Sequence, residues 1–482
     1  MSRSFNSINI VNQPVQKFIP EDSRMLERFF KLSENHTTLR TELLAGLTTF
    51  LTMAYIIFVQ PAVLGACGMN AGAVFVATCL ATAFGTLLMG LMTNYPIAQA
   101  PAMGHNFFFA FAAVPLITLS LGNDLSGDAW KVALGANFIS GIIFVLLSFT
   151  PLIKEIIKAV PDSLKHAIAV GIGLLIAFLG LQWGGVVVDA PGSLVKLGNL
   201  GSSPVLLTLS GTVFMAILSA REIKGSILIG MAVTALLGYF LGIVKYQGII
   251  SSPPSLAPTL LELNIGKAIN LGFITIIFTF LILDLFDTLG TLIGVSEKAG
   301  FLKEDGSLPR SKQAFQADAI ATVAGTLLGT STVTSYIESA AGISQGGRTG
   351  LANMVTAALF LVALFFSPLV AMIGNAYPYQ MVLMDGRTLS LQLYPVIAPT
   401  LIIVGCLMMG SISKIRWQDF SEAFPAFLTI IFMPFSGFSI TEGIAFGFIS
   451  FTVIKVFSGK VKDVHWLIAL FSILFIIRYL FM

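Results

Sequence analysis

Residues 271–296 read LGFITIIFTFLILDLFDTLGTLIGVS, and their only charges are Asp284 and Asp287. A bilayer span needs about 20 apolar residues, so this run is long enough, yet it carries two carboxylates in its second half. A charge at mid-bilayer costs roughly 2.5–3.5 kcal/mol on insertion scales, so such residues face a cavity and mark a substrate or proton pathway. Glu338 poses the same problem in GTSTVTSYIESAAG (residues 329–342), again with no basic residue nearby. The alternative reading makes each acid a cap or the partner of a buried base. Without Lys or Arg in these segments, the functional reading is preferred.

The rest of the chain agrees with a membrane setting. Its 482 residues are 56% hydrophobic and only 11% charged, against about 25% charged in soluble domains. The fold class expected is an all-α polytopic membrane protein. Residues 1–39 are polar, lack an apolar h-region and a cleavage site, and read as a cytoplasmic tail rather than a signal peptide. Cys67, Cys79 and Cys406 lie in or beside apolar runs without metal-ligand spacing and read as inert. The net charge of +3 is too small to imply a nucleic-acid partner. No nucleophile–base or metal constellation lies in the apolar regions, so the chain does not read as an enzyme.

Apolar runs centre near 43–64, 72–93, 97–117, 132–150, 166–181, 204–219 and 225–243, then near 272–295, 314–329, 330–346, 350–374, 395–411, 424–438, 440–457 and 464–481. With a cytoplasmic N-terminus, 21 Lys and Arg fall on the inside and 6 on the outside, as the positive-inside rule requires. About 14 spans are expected. The last three runs leave either a re-entrant segment or an extra or interfacial helix at 467–481.

The third and tenth runs are interrupted. AQAPAMGHNFFFAF (residues 98–111) contains Pro101, which removes a helix donor, and Gly104, which lets the backbone turn or approach a ligand. Residues 99–104 are expected to be extended, with a half-helix from Phe107. In the tenth run, residues 330–337 are rich in strand-favouring Thr, Val and Tyr, with a helix expected from near Ile337. Asn106 and Glu338 stand 232 residues apart, close to half the chain, and KGSILIG (224–230) resembles EGIAFGF (442–448). This weak symmetry predicts two inverted seven-span repeats, at 40–244 and 272–482, joined by an extracytoplasmic loop at 245–271. Broken helices at matching positions are the transporter signature. Short antiparallel strands in spans 3 and 10 would satisfy each other and aim two half-helix N-termini at one point.

A planar heterocycle with N–H and C=O edges suits that point. Carboxylates accept N–H groups, Asn106 donates and accepts, and an aromatic such as Phe107 stacks on its face. Asp284 and Asp287 are three residues apart and share a helix face. Two carboxylates that close resist joint ionisation, and Glu338 adds to the effect. One acid held partly protonated is what proton symport needs; Na⁺ would use the same residue types. His105 reads more readily as a satisfied core histidine than as a proton relay. Asp318, Asp419 and Glu442 read as interfacial, near span ends. GGRTG (346–350) reads as a cytoplasmic turn.

The motifs resemble the nucleobase–cation symporter family that includes xanthine and uracil permeases, and more narrowly its AzgA-like adenine/guanine/hypoxanthine branch. The matching stretches are TELLAGLTTFLTMAYIIFVQPAVL (41–64), APAMGHNFFFAF (100–111), DLFDTLGTLIGV (284–295), GTSTVTSYIESAAGISQGGRTGL (329–351) and FMPFSGFSITEGIAFGF near the C-terminus. The resemblance implies 14 spans in two inverted repeats, core and gate domains, and proton-coupled uptake of adenine, guanine or hypoxanthine by alternating access. It implies substrate contacts from Gly104, Asn106, Asp284, Asp287 and Glu338, and the stacking ring of Phe107 and the neighbouring Ser339 join them as candidates; proton coupling is expected through Asp287, Glu338 and Asp284, Asp287 foremost of the eighth-span pair. It implies no cofactor beyond the coupling ion. The expected partners are a purine base, H⁺ and the bilayer of the cell's inner (plasma) membrane, and a homodimer is left open. Two features depart from the family pattern: His105 in the G-x-N motif, and an insertion at 379–396. Uracil or xanthine carriers of the same fold remain the first alternative. An anion exchanger or channel of the related fold is the second, disfavoured by the three acids.

Overall fold

The computed structural model describes residues 21–121, 128–150, 159–190, 193–269, 273–303, 308–382, 388–437 and 439–481. Outside the described residues lie 1–20 of the expected tail, Lys154 and Lys158, residues 270–272, and 383–387 of the expected insertion.

Apolar sequence becomes helix in every expected run except the two interrupted ones, which combine a short strand with a half-helix. After α1 (Glu21–Phe30), Thr38 caps α2 (Leu39–Met53), which α3 (Ile56–Gly65) extends. Asn70 caps α4 (Ala71–Thr93), and Asn94 in the left-handed region ends it. β1 (Gln99–Pro101) leads into α5 (Met103–Phe108), a π-helical turn (Phe109–Ala113) and α6 (Val114–Leu121). Next come α7 (Ala129–Phe149), α8 (Asp162–Trp183), the hairpin β2 (Val187–Ala190) and β3 (Leu194–Leu197), α9 (Ser203–Ala220), α10 (Ser226–Phe240) and the short α11 (Ile265–Ala268). The second half holds α12 (Ile274–Ala299), α13 (Ser311–Leu328), β4 (Val333–Ser335), α14 (Ser339–Ser344), α15 (Leu351–Ala363) and α16 (Ser367–Gly374). It ends with the hairpin β5 (Tyr377–Val382) and β6 (Thr388–Leu393), α17 (Ala398–Met408), α18 (Phe420–Phe435), α19 (Ile440–Phe457) and α20 (Trp466–Phe481).

Nine helical stretches among the described residues are long and apolar enough to cross a membrane, and four shorter apolar helices accompany them. The helices pack as two groups. One is built on α2, α4, α7, α12, α13 and α15; the other on α8, α9, α10, α17, α18 and α19. The groups meet where α8 touches α5 and α12, where α10 touches α2, and where the Thr441 hydroxyl of α19 donates to Thr279 of α12 at 3.0 Å. α20 packs along α19, and its Phe471 and Phe475 also lie against Phe278 of α12, at ring distances of 4.6 and 6.3 Å.

β1 and β4 form an isolated antiparallel ribbon inside the first group, with Gln99 opposite Ser335 and Pro101 opposite Val333. Ladder bonds run from Tyr336 N to Ala98 O and from Ala102 N to Thr332 O. Bonded pairs alternate with non-bonded ones in such a ladder, so Pro101 falls at a non-bonded position and its missing N–H costs no ladder bond. The outward edges are covered by side chains. The Thr86 hydroxyl sits 3.0 Å from Gln99 N and 2.9 Å from Gln99 O. Asp318 accepts Ser335 N at 2.9 Å, and the hydroxyls of Thr322 and Tyr336 donate to Val333 O and Pro101 O at 2.9 and 2.5 Å.

Several expectations change. Asp318 is not interfacial: it lies eight residues into α13, fully buried. The first half-helix starts at Met103 rather than Phe107, which puts Gly104 inside it, and the second strand covers only Val333–Ser335. The 379–396 stretch falls largely in the β5–β6 hairpin, while the β2–β3 hairpin was not foreseen. Asp419 does sit at a helix start outside the apolar region, where hydrogen bonds from Ser421 and Lys460 hold its carboxyl below the usual carboxylate range. Glu442 is largely covered by its ion pair with Arg478 at 2.9 Å.

Gly329 makes the turn from α13 toward the ribbon with φ +91°, and a Cβ there would lie 2.2 Å from Thr259 Cβ. Gly329→Ala is expected to cost at least about 1 kcal/mol through strain at positive φ, and more through the collision. Thermal unfolding of the detergent-solubilised variant reads this out; a melting curve matching the parent would refute it.

Candidate functional site

The half-helix α5 begins two residues after β1, which carries Asn106 beside the other interrupted segment. Asn106 is fully buried; its Oδ1 accepts the Ser331 hydroxyl, and its Nδ2 has no protein partner. Gln60 Nε2 donates to Thr330 and Ser331 hydroxyls at 2.9 and 3.3 Å. The next hydroxyl, on Thr332, donates to Asn137 Oδ1 at 2.7 Å. The polar residues before β4 therefore each hold a partner on a surrounding helix.

The two aspartates of α12 part company. Asp284 is 1% exposed and faces α13, where the Thr322 hydroxyl lies 3.0 Å from its Oδ2. Asp287 keeps 41% of its side chain exposed, and Thr334 donates to its Oδ2 at 3.2 Å. Glu338 stands at the start of α14, partly exposed, and accepts the Tyr55 hydroxyl at 2.6 Å. Neighbouring Ile337 is 62% exposed. Asp287 and Glu338 are thus the acids with an open side. The opening continues along α12 past Gly290 and Gly294, where a Cβ would meet nothing within 4 Å.

The other expected residues are packed. Gly104 lies under α8, where a Cβ would come 3.0 Å from Ile172 Cγ2. Phe107 is buried and stacks on Phe111 with ring centroids 6.1 Å apart. The buried Ser339 hydroxyl accepts Ala98 N at 3.0 Å and ties α14 to the ribbon. His105 is buried as expected but is not satisfied. Its ring is 2% exposed, neither nitrogen has a hydrogen-bond partner, and Nδ1 lies 3.9 Å from Asp287 Oδ2.

Sequence reading missed Asp318 and Tyr55. Asp318 takes four donors: Gln99 Nε2 at 2.9 Å, Ser335 N at 2.9 Å and Ser335 Oγ at 3.0 Å on Oδ1, and Thr288 Oγ1 at 2.6 Å on Oδ2. Its position two turns inside a helix was the available signal. Tyr55 lies between α2 and α3, where nothing in the sequence marks it. Among the described residues no group of three or more His, Cys, Asp or Glu is placed to hold a metal ion.

A family model for xanthine/uracil-type permeases, described as "Permease family", matches residues 40–378. The adenine permease AdeP of Escherichia coli is 46% identical over 457 residues, covering 95% of this chain and 96% of that protein. The guanine/hypoxanthine permease PbuO of Bacillus subtilis is 42% identical over 453 residues, covering 93% and 99%. Among solved structures, the transmembrane domain of the cyanobacterial bicarbonate transporter BicA superposes with a TM-score of 0.59 at 15% identity, over 83% of this chain and 96% of that one. At that identity the likeness concerns the fold alone.

Asp318→Ala would leave four donors without their acceptor, at about 1–3 kcal/mol for each buried group. The expected outcome is a variant that melts well below the parent or fails to accumulate. A variant of parental stability would show that the ribbon does not need this carboxylate.

Proposed function

This chain belongs to the xanthine/uracil permease family, a family of membrane transporters rather than enzymes, and we propose that it takes up purine nucleobases together with protons. The observation that carries the reading is a pair of acids, Asp287 and Glu338, with an open side at the point where two helices are broken. The Asp287 and Glu338 carboxylates accept the N–H groups of a planar base, and the free Nδ2 of Asn106 donates to a ring nitrogen or carbonyl. The activities for which the relatives are named, adenine permease and guanine/hypoxanthine permease, favour purines over uracil. A bound proton on either acid lets the loaded site cross without an unpaired charge. The same acids could hold Na⁺, and the experiment below separates the two ions.

In this reading 40–244 and 272–482 are the two inverted repeats, and the two helix groups are the core and the gate. The N-terminus is cytoplasmic, in the inner membrane of the cell. The opening beyond Gly290 then leads to the cytoplasm, and the structure corresponds to an inward-open stage of alternating access.

Proteoliposomes loaded at pH 7.5 and diluted into acidic buffer are expected to accumulate labelled adenine, guanine or hypoxanthine. Accumulation should collapse when the pH gradient is abolished. Uptake that ignores the gradient and follows Na⁺ rejects proton coupling. Asp287→Asn and Glu338→Gln are each expected to lower coupled uptake at least tenfold with the protein still inserted; near-parental uptake in both rejects the site.

In a background free of Cys67, Cys79 and Cys406, Gly290→Cys should react with a membrane-impermeant maleimide from the cytoplasmic face. Labelling from the outer face alone would reverse the assigned orientation.

A further inference from the structure

The reading above leaves His105 without a task. A buried imidazole with neither nitrogen bonded is an uncompensated cost, here placed one residue from Asn106. Its Nδ1 is 3.9 Å from Asp287 Oδ2, too far for a direct hydrogen bond. A small rotation of either side chain, or one water between them, closes that gap.

The surroundings single out this neighbour. α5 packs against α3, α8 and α12 and runs on into the π-helical turn. α3 and the π-helical turn contribute no titratable group, and α5 none besides His105 itself. The titratable groups of α8 are Asp162, Lys165 and His166, all in its first two turns, and Asp162 pairs with Lys165 at 2.9 Å. α12 supplies Asp287, while Asp284 is held toward Thr322 and Glu338 toward Tyr55. Asp287 is the one charged group within 4 Å of the His105 ring among the described residues.

We propose that His105 and Asp287 form a proton-sharing pair in which His105 is the positioning residue for the coupling proton. This rests on the reading of Asp287 as a proton-coupling acid. With one proton bound, the pair is either carboxylic acid with neutral imidazole or carboxylate with imidazolium. The Asp287 O–H bond breaks as the His105 Nδ1–H bond forms, and the pair is neutral either way. Release of the proton to water in the opening leaves carboxylate and neutral imidazole, with one negative charge. The pair is thus uncharged when loaded, which suits movement through an apolar barrel of helices.

The test is the pH profile of purine uptake in proteoliposomes for the parent and for His105→Gln, which keeps a polar group but cannot take up a proton. The expected result is a midpoint moved toward acid by about one pH unit. A profile that keeps its midpoint, whether or not its amplitude falls, reduces His105 to packing and overturns the proposal. A second measurement uses the native ring. With His36, His166 and His465 replaced by Gln, ¹⁵N-histidine NMR of the reconstituted protein should show His105 gaining a proton over the pH range in which uptake changes. A ring that stays neutral throughout overturns the pairing. Parent uptake indifferent to pH and to the gradient rejects the proton-coupled reading itself. Gradient-driven uptake with an unmoved His105→Gln profile rejects only the pairing.

Discussion

A two-stranded ribbon at membrane depth has edges, and no lipid can satisfy them. The β1–β4 pair answers this with side chains: Thr86 covers Gln99, Asp318 takes the Ser335 amide, and the Thr322 and Tyr336 hydroxyls reach Val333 and Pro101 carbonyls. Pro101 belongs to the same solution, because it removes a donor from an edge position. A one-residue slip would put Pro101 where the ladder needs an N–H. The register is therefore fixed, and with it the relation of α5 to α14. Asn106 and Glu338 are held in place by ribbon geometry rather than by contact with each other.

The same constraint sorts the acids. Asp318 is saturated by four donors and spends its charge on the ribbon. Asp284 is enclosed and turned toward Thr322, whose hydroxyl also reaches Val333 O. Asp287 and Glu338 have one protein donor each and an open side. Carboxylates of one chemical type thus differ in availability, and the difference comes from how many backbone and hydroxyl donors converge on each.

Much of this was legible in the sequence, for stated physical reasons. Asp284, Asp287 and Glu338 stand out because a bilayer makes unpaired charge expensive, and Pro101 with the Thr-rich run marks the broken helices. Asp318 was passed over because SKQAFQADA (311–319) looks like the polar end of a span; its place two turns into the helix was the one hint of its depth, and the ribbon edge opposite explains it. The separation of Asp284 from Asp287 escaped the spacing argument, since residues three apart lie about 60° apart around the helix, enough for one to face α13 and the other the open side. His105 was read as a satisfied core residue because burial is predictable from an apolar context, whereas partnership depends on what the next helix brings. The two hairpins lie outside the apolar periodicity that carried the rest.

The last helix has a position that its sequence alone would not suggest. α20 rides on α19 in one helix group while Phe471 and Phe475 rest on Phe278, which belongs to the other group through α12. Any change in spacing between the groups must shear that aromatic contact. The C-terminal segment is thus a brace: its rings tie the two helix groups together across α12, in addition to the α8 contacts.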